Sequence, residues 1–455
     1  MYYDIIKLLN LEQFNIKIKT AEISKVNNIL YCYITLEKST LFCTYCGGTE
    51  ILIKDYRIKK IKHSISTNNP CYIIYKARRY KCKYCGSSFY ELNPFSSQNL
   101  KISTYTIYTV LRQLLNHTNT FTGVAQNLNL SVTTVIKIFD TYVECHRSSL
   151  PKIICFDEFY RSRKTTDKYA FVMADFKNNK IIDVFSSRRK DKLDSYFSKI
   201  PKKERDNVEY IIIDMWDTYR DLAEIQFKNA KIAVDSFHVI KHLNEAMISI
   251  RLKIMRKYDK KSKSICYNDM YYYMLKKFHY FFVKDFDDIY DGLIEIRKMK
   301  TKWDKYEIRK YLLSIDSDLK YAYELKERYR EFNLTAFYNN CDEELDNLIE
   351  DFTISHIEEF RNFGKLLKKW KLNIKNSFIR IDNKRLSNGP MEGINSRIKT
   401  ILKSANGIKQ FYRLRNRIMY SINKNIPIKI IVICMTKVVP FLVPLFLLDP
   451  YYKSF

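Results

Sequence analysis

Two acidic residues stand where apolar, strand-like segments end, and carboxylates in such positions can bind divalent metal ions. The run Ile153–Phe156 leads into Asp157, and the run Val208–Ile213 leads into Asp214. Neighbouring carboxylates repel each other and raise each other's proton affinity, whereas a divalent cation removes that conflict. Oxygen ligands suit Mg²⁺ or Mn²⁺. The pattern predicts such a site if the fold brings Asp157 and Asp214 together.

A mixed sheet would bring them together. Between the two acids, residues 169–175 and 180–185 alternate as two further strands, and a helical segment precedes the strand that ends at Asp214. Three antiparallel strands, a helix and a fourth strand follow the order of a ribonuclease-H-like sheet, in which the first and fourth strands are neighbours. We therefore predict an α/β domain in which Asp157 meets Asp214. For either acid alone, capping of the next helix is the commoner explanation.

A third acid follows a turn much further along the chain. Asn388-Gly389-Pro390 interrupts a helical pattern, and proline suits the first turn of a new helix. Glu392 comes next, with Asn395 three residues on along the same face. Such a helix could carry a metal ligand and phosphate-binding cations together. The predicted phosphate contacts on this helix are Arg397, Lys399 and Lys403.

Other acids nearby are weaker candidates. Glu158 should point to the face of the strand opposite Asp157. Asp217 lies just beyond the second strand and could cap a helix. Asp235 follows a third apolar run, residues 232–234, and is a rival to Asp214 as a metal ligand. His238, three residues after Asp235, could be a buried histidine paired with Asp235.

Four cysteines form two matching pairs. Cys43 and Cys46 are followed by glycine, and so are Cys82 and Cys85. The two-residue spacing lets both thiolates of a pair reach one ion, and the glycine permits the tight turn. The gap between the pairs leaves room for a hairpin. We predict one structural Zn²⁺ held by four thiolates; the alternative is a pair of redox dithiols.

A helix-turn-helix is predicted between the cysteines and the acids. Residues 105–117 and 120–128 have helical patterns, Asn129 could end the second helix, and Ser131 is a suitable N-cap for a third. The start of that third helix would face the major groove of DNA. Any three-helix packing gives a similar pattern, which is the alternative. The predicted contacts here are Thr133, Thr134 and Lys137.

The strand before the second cysteine pair interleaves basic residues with tyrosines. Arg78 and Arg79 lie between Tyr75 and Tyr80. This pattern fits a DNA-facing surface, for which we predict Arg78 and Arg79 as contacts; the alternative is a solvated strand face.

The whole chain reads as an α/β multidomain protein of six segments. The first is β-rich and carries the predicted zinc ligands, the second carries the helix-turn-helix, and the third begins the predicted ribonuclease-H-like domain. A long amphipathic helical region follows, then the helix with Glu392, then an apolar tail. The predicted boundaries are 1–95, 96–148, 149–240, 241–385, 386–425 and 426–455.

Charge points to a polyanionic partner. The chain has 455 residues and a formal net charge of +29, which favours nucleic acid first and an anionic membrane second. A generically basic, ribosome-associated factor is the alternative. The apolar tail contains Lys429, Lys437, Pro440 and Pro444, which do not suit a spanning helix, so no stable membrane association is expected. Eleven cysteines without a secretory leader fit a reducing cytoplasm.

The order of these motifs resembles the ISL-three family of insertion-sequence transposases. The resemblance rests on Asp214–Tyr219, on Asp235–Val239 and on Ser387–Asn395, and it extends to the cysteine pairs and the helix-turn-helix. It implies that Asp157, Asp214 and Glu392 form a DDE triad. It also implies that residues 241–385 are an all-helical insertion. Asp235 and His238 would then lie beside the active site, with His238 and Asn395 near the metal rather than bound to it.

The resemblance further implies a function. A DDE transposase binds the inverted-repeat ends of its element and target DNA, both double-stranded, and cleaves and joins strands with two Mg²⁺ or Mn²⁺ ions. Because two ends must be joined, a homodimer or larger assembly on DNA is expected, in a bacterial cytoplasm and associated with the nucleoid. The alternatives are a DNA-binding regulator with a non-catalytic ribonuclease-H-like scaffold, and a nuclease that cannot join strands. A tyrosine recombinase is disfavoured because this chemistry needs no protein nucleophile.

Overall fold

The structure, a computed structural model, falls into two compact units. One comprises Met1–Arg147 with Ile394–Phe455, and the other comprises Ser148–Gly393. The finer division into six segments stays a prediction. The residues described are 2–12, 16–65, 69–97, 100–161, 166–260, 268–404, 408 and 410–424, with the backbone of 428–430 and 441–443.

The first unit opens with a short helix and a five-stranded sheet. The strand order is β1-β2-β4-β3, with β5 on the far end of β4; β2 and β4 run parallel, and the other neighbours are antiparallel. Asn27 and Asn28, with φ of 48° and 61°, form the two-residue turn between β1 and β2 that such left-handed residues favour. The elements are α1 (Tyr2–Leu8), β1 (Ile18–Val26), β2 (Ile29–Leu36), β3 (Ile51–His63), β4 (Cys71–Cys82) and β5 (Ser88–Tyr90).

Three short helices follow the sheet. Each begins after a hydroxyl residue whose side chain accepts a backbone N–H, as N-caps do. The predicted cap Ser131 is confirmed, since its hydroxyl accepts the Thr134 N–H at 3.1 Å. The second helix ends before Asn129, which has a left-handed φ of 52°, as predicted. The helices are α2 (Thr104–Leu114), α3 (Phe121–Asn127) and α4 (Val132–Tyr142).

The second unit is built on a mixed sheet in the order β10-β9-β6-β7-β8. The first strand, β6, lies parallel to β9, the fourth, so the predicted adjacency is confirmed. Phe156 of β6 packs its ring against those of Phe171, Phe197 and Tyr219 in the core. The elements are β6 (Ile153–Tyr160), β7 (Tyr169–Asp175), β8 (Lys180–Phe185), α5 (Lys190–Phe197), α6 (Lys202–Asp206), β9 (Tyr210–Ile213), α7 (Asp217–Gln226) and β10 (Lys231–Val234).

A mainly helical region completes this unit and shares one core with the sheet. The prediction that residues 241–385 are all helical was wrong in one respect, because two small hairpins interrupt them. One hairpin turns at Asp382 and Asn383, whose φ values of 50° and 61° belong to a two-residue turn. The elements are α8 (Ser236–Lys257), α9 (Asp269–Lys277), a 3-10 helix (His279–Phe282), β11 (Ile294–Ile296), β12 (Thr301–Trp303), α10 (Lys305–Ser314), α11 (Ser317–Thr335), α12 (Cys341–Ile354), α13 (Glu358–Ser377), β13 (Arg380–Ile381) and β14 (Lys384–Arg385).

Two helices close the part of the chain with described side chains, α14 (Gly389–Ser404) and α15 (Phe411–Asn423). In the first unit, α15 holds the end of α2 in place through the buried guanidinium of Arg417. It donates to the carbonyl of Leu114, the last residue of α2, and to those of Asn116 at 2.9 Å and Asn119 at 2.7 Å. These bonds satisfy groups at and beyond the helix end that would otherwise lack partners.

The predicted apolar tail lies largely outside the described residues. Its described parts are two short antiparallel strands, β15 (Ile428–Ile430) and β16 (Phe441–Val443). Over the described stretches, none of the helices combines the length and apolar character needed to cross a membrane.

Candidate active site and zinc site

Three acids lie at one edge of the second unit's sheet. Cys155 of β6 is level with Ile212 of β9, so Asp157 and Asp214, each two residues further on, follow in matching positions. Val234 of β10 is level with Ile213, which places Asp235 beside Asp214. Because these three strands are parallel, the three acids follow the same edge. The prediction that Asp157 lies at a strand end was wrong, since β6 continues to Tyr160.

Asp214, Asp235 and His238 form a compact group. One potential ligand atom from each lies within 4.8 Å of the others. His238 Nε2 is 3.0 Å from Asp214 Oδ1. This contact joins His238 to Asp214, whereas the alternative prediction paired His238 with Asp235. Asp235 instead caps α8 and accepts the Phe237 N–H at 3.4 Å, which turns its carboxylate towards its own helix.

The group concentrates negative charge in a largely buried place. Burial raises the pKa of Asp235, which is only 4% exposed. Burial lowers the pKa of His238, but its hydrogen bond to Asp214 and the charges of Asp214, Asp235 and Asp157 outweigh this and raise it on balance. An imidazolium or a bound cation is therefore favoured beside these carboxylates.

Asn388 joins the group from the residue before α14. Its side-chain amide donates to Asp214 Oδ1 at 3.1 Å and to the Phe156 carbonyl at 3.3 Å. A backbone hydrogen bond from Asn388 also lowers the pKa of Asp235. Asn388 was not among the predicted site residues. The available signal was a small amide residue directly before a Gly-Pro helix start.

Glu392 lies in the first turn of α14, four residues after Asn388. Its side chain is exposed, and its backbone N–H donates to the Asn388 carbonyl at 3.3 Å. Asn388 thereby ties the start of this helix to Asp214. Neither Glu392 nor Asp157 belongs to the compact group of Asp214, Asp235 and His238.

The weaker acidic candidates have structural partners. Glu158 accepts from the Arg188 guanidinium at 2.6 Å and from the Tyr219 hydroxyl at 2.7 Å, on the core side of the sheet, so it points away from Asp157 as expected. Asp217 does not cap a helix; Trp216 occupies the N-cap of α7. The Asp217 carboxylate instead pairs with Lys369 at 2.6 Å.

One predicted DNA contact needs correction. Arg78 is 4% exposed, and its guanidinium pairs with Glu91 at 2.7 Å. It also bonds the Leu36 and Glu37 carbonyls, so its hydrogen-bonding capacity is used inside the protein and not on a DNA-facing surface. Arg79 is more accessible and lies 3.5 Å from Asp55.

The other predicted contacts lie on two helices of the first unit. On α4, Thr133 and Lys137 are exposed and Thr134 is half-buried. On α14, whose residues from Ile394 onward belong to the first unit, Arg397 is half-buried, whereas Lys399 and Lys403 are exposed. Asn395, which was predicted to lie near the metal and not on DNA, is half-buried. The exposed lysines are available to phosphates.

The four predicted zinc ligands converge at the end of the β3–β4 hairpin. The Cys43 and Cys85 sulfurs are 3.7 Å apart, and those of Cys46 and Cys82 are 3.6 Å apart. Sulfurs around tetrahedral zinc lie about 3.8 Å apart, given Zn–S bonds of about 2.3 Å. The donor set and spacing therefore fit one zinc ion.

The two knuckles have the same backbone geometry. Gly47 and Gly86 have φ of 73° and 72°, a left-handed conformation that side chains disfavour. The N–H of each glycine donates to the carbonyl of the first cysteine of its pair, at 3.0 and 3.1 Å. This repeated turn explains why glycine follows both pairs.

The chain matches a family of known proteins. A family model described as Transposase, for the ISL3 (ISL-three) group of the DDE type, matches residues 154–418, more than half of the chain. One similar solved chain is from the "Drosophila P element transposase strand transfer complex". It has 13% identity and a TM-score of 0.35, and the alignment covers 68% of this chain and 90% of that one. A search of curated proteins finds no match.

Proposed function

Because the chain belongs to the ISL3 family of DDE transposases, we propose that it binds transposon ends and catalyses metal-dependent cleavage and transfer of DNA strands. The observation that carries this proposal is the placement of Asp157 and Asp214 level on neighbouring parallel strands, with Asn388 tying the start of the Glu392 helix to Asp214. The strand order β10-β9-β6-β7-β8 supports a ribonuclease-H-like catalytic core.

In this proposal Asp157, Asp214 and Glu392 hold two Mg²⁺ or Mn²⁺ ions. One observation at Asp214 suits such ions, which prefer oxygen ligands: the Oδ1 atom of Asn388 is buried there and has no hydrogen-bond partner among the described residues. Bound ions of this kind supply activation of the attacking oxygen and stabilisation of the leaving oxygen.

The chain's own residues position these ligands. Asn388 fixes one oxygen of Asp214 by donating to it, and His238 contacts the same oxygen from α8. Asp235 is buried and caps α8, so its role is to hold His238 in place rather than to bind metal. Such supporting contacts orient ligands and tune their affinity for a metal.

The first unit would bind the DNA. We propose that α2, α3 and α4 form a helix-turn-helix whose Thr133, Thr134 and Lys137 enter the major groove. The zinc ion would hold the β3–β4 hairpin, which carries Arg79. Further phosphate contacts would come from Arg397, Lys399 and Lys403. Since two ends must be brought together, the working form would be a homodimer or larger assembly.

The test is cleavage of a labelled duplex that carries the inverted repeat flanking the gene. Asp157→Asn, Asp214→Asn and Glu392→Gln should each lower cleavage below about a thousandth of the native rate, a loss on the order seen when catalytic triads lose a member. Binding of the duplex should persist. Asp217→Asn is the matched control, because this nearby acid pairs with Lys369.

The same experiment separates the alternatives. A native chain that binds ends but never nicks them with Mg²⁺ or Mn²⁺ would be a regulator, and one that nicks but cannot join a pre-cut end would be a nuclease. Normal nicking by any one of the three variants would remove that residue from the triad.

A further inference from the structure

The sheet of the first unit has one covered and one open face. The covered face packs Ile61, Ile73 and Tyr75 into a core with α1. The open face carries a set of residues that we call the tyrosine platform. In register, Tyr31 faces Tyr72, Tyr33 faces Ile74, Lys60 faces Ile74 and Ile58 faces Lys76. The platform consists of Tyr31, Tyr33, Tyr56, Tyr72, Lys60 and Lys76.

Ring and cation contacts support this assignment for five of the six side chains, and strand register alone places Tyr33. The rings of Tyr31 and Tyr72 stack with centroids 5.8 Å apart and planes 18° apart. Lys60 Nζ lies over both, 5.2 Å from the Tyr31 centroid and 4.3 Å from the Tyr72 centroid. Lys76 Nζ lies 4.7 Å from the Tyr56 centroid. Both lysine ammonium groups therefore lie within range of cation–π interactions with the tyrosine rings.

Two of the platform tyrosines, Tyr33 and Tyr56, are exposed, whereas Tyr31 and Tyr72 are half-buried. Tyr33 is 46% and Tyr56 49% exposed, and the adjoining Ile58 is 68% exposed. Clustered exposed rings and aliphatic side chains mark a binding surface. The facing strand β1 adds one acid, Glu22, opposite Tyr33, so the lysines Lys60 and Lys76 leave the face cationic.

We propose that the tyrosine platform binds an unpaired DNA strand. Flat aromatic side chains accept stacked bases of any sequence, and interleaved cations accept the phosphates between them. A duplex hides its base faces and would use the lysines but not the rings. The presence of four tyrosines therefore favours the single strand as the occupant.

The position of the platform suits a junction between duplex and single strand. Lys62, whose Nζ lies 5.8 Å from the Tyr72 centroid, donates to the Asn129 carbonyl in the turn before α4. The platform therefore adjoins the amino-terminal end of α4. If α4 holds a duplex, as proposed above, an unpaired strand leaving it would meet the tyrosines. Single-strand binding itself does not depend on the cleavage chemistry.

The test uses the full, zinc-loaded chain and a fluorescent thymidine oligonucleotide of about 20 nucleotides. Tyr33→Ala with Tyr56→Ala should weaken binding at least about tenfold, the order of loss expected when a stacked base loses its aromatic partner. Affinity for a duplex of equal length should change less than about threefold, because paired bases do not reach the rings. Tyr33→Phe with Tyr56→Phe should bind as the native chain does. The matched control is Tyr290→Ala with Tyr306→Ala, which removes two exposed tyrosines of the other unit.

Salt dependence gives a second readout. Lys60→Gln with Lys76→Gln should reduce the slope of log affinity against log salt by about 1.4 for the oligonucleotide, at about 0.7 per phosphate contact. The proposal would be wrong if the alanine pair lost affinity equally for the oligonucleotide and the duplex, or if it bound the oligonucleotide with native affinity. It would also be wrong if the glutamine pair left the salt slope unchanged. If the alanine pair lost zinc, Tyr56→Ala alone, on the edge strand β3, would decide by the same criteria.

Discussion

The two candidate metal sites differ in how far apart their residues lie along the chain. The four cysteines come from two knuckles at the ends of adjacent strands of one hairpin. The acidic cluster draws Asp214 from the residue after β9, His238 from α8 and Asn388 from the residue before α14, 174 residues after Asp214. The zinc site can therefore assemble when one hairpin forms, whereas the acidic site requires the complete core of the second unit.

The two sites also differ in how far the surrounding fold is expected to depend on a bound metal. A local four-thiolate site would stabilise the chain around it, because little core surrounds it beyond Tyr80, Phe89 and Ile51. The acidic cluster stands on a sheet whose core holds Phe156, Leu222 and their many neighbours, so the fold there does not need the metal. We expect metal removal to unfold part of the first unit and to leave the second intact.

The largest expected effect is loss of the zinc ligand Cys82. Cys82→Ser should bind no zinc and should open the β3–β4 hairpin to protease, because structural zinc contributes on the order of 10 kcal/mol of binding free energy to such folds. Zinc content by mass spectrometry and limited proteolysis would measure this. Cys71→Ala, which alters a buried cysteine of the same sheet, should keep one zinc per chain. Full zinc content in Cys82→Ser would show that Cys82 is not a zinc ligand.

A smaller effect is expected when Asn388 is replaced. Asn388→Ala removes the donor to Asp214 and should lower cleavage about 10–100-fold, with the fold retained, as losses of ligand-orienting contacts do. Cleavage rates in Mg²⁺ and urea unfolding would measure the two effects.

Asn373→Ala is the matched control for Asn388. Asn373 is also buried and donates to the Ile232 carbonyl, but Asn376 donates to the same carbonyl at 2.9 Å. Cleavage should therefore stay near native in Asn373→Ala. Equal losses in both variants would mean that Asn388 acts through stability alone.

The smallest expected effect concerns the pH dependence of the first unit. His63 is 2% exposed, with Nδ1 2.8 Å from Ser103 Oγ and Nε2 2.8 Å from the Leu9 carbonyl. Burial lowers the pKa of His63 to about 4. The neutral ring is thus favoured in the folded state. Its contribution is fully present above about pH 6.5 and is lost as pH falls towards about 4.

A glutamine at position 63 offers one donor and one acceptor, as the neutral imidazole does, but it does not titrate. Between about pH 7 and pH 5 the native first unit should lose about 1–2 kcal/mol more of its unfolding free energy than His63→Gln does. Urea unfolding of the native and His63→Gln chains, both loaded with zinc, at the two pH values would measure this difference in unfolding free energy. Protonation of the cysteines affects both chains equally and therefore cancels. Parallel pH profiles would show that His63 is not the titrating group.

The same contrast explains how much of the site could be predicted from sequence. The cysteines were predictable, because ligand spacing and the following glycine describe a site within a few residues. Asp157 and Asp214 were predictable because strand order alone places them on neighbouring strands. Asn388 was not, since its role depends on where α14 begins relative to β6 and β9. The contact of His238 with Asp214 depends likewise on the packing of α8.

Two further differences have physical reasons of the same kind. Arg78 looks like a surface cation in sequence, but Glu91 lies opposite it beyond β5 and compensates its charge inside the unit. The hairpin at Asp382 and Asn383 interrupts a helical pattern because two left-handed residues make a tight turn possible. Neither feature shows in periodicity, since both depend on partners or backbone angles.

If Asp157, Asp214 and Glu392 hold the catalytic ions together, loss of any one of them should reduce the number of bound ions, which electron paramagnetic resonance of Mn²⁺ can count. The zinc-loaded chain in complex with end DNA should bind two Mn²⁺ ions. Asp157→Asn, Asp214→Asn and Glu392→Gln should each bind at most one at the same concentration, while Asp217→Asn binds two. A Glu392→Gln complex that still binds two Mn²⁺ ions with native affinity would exclude Glu392 as a ligand of the catalytic ions.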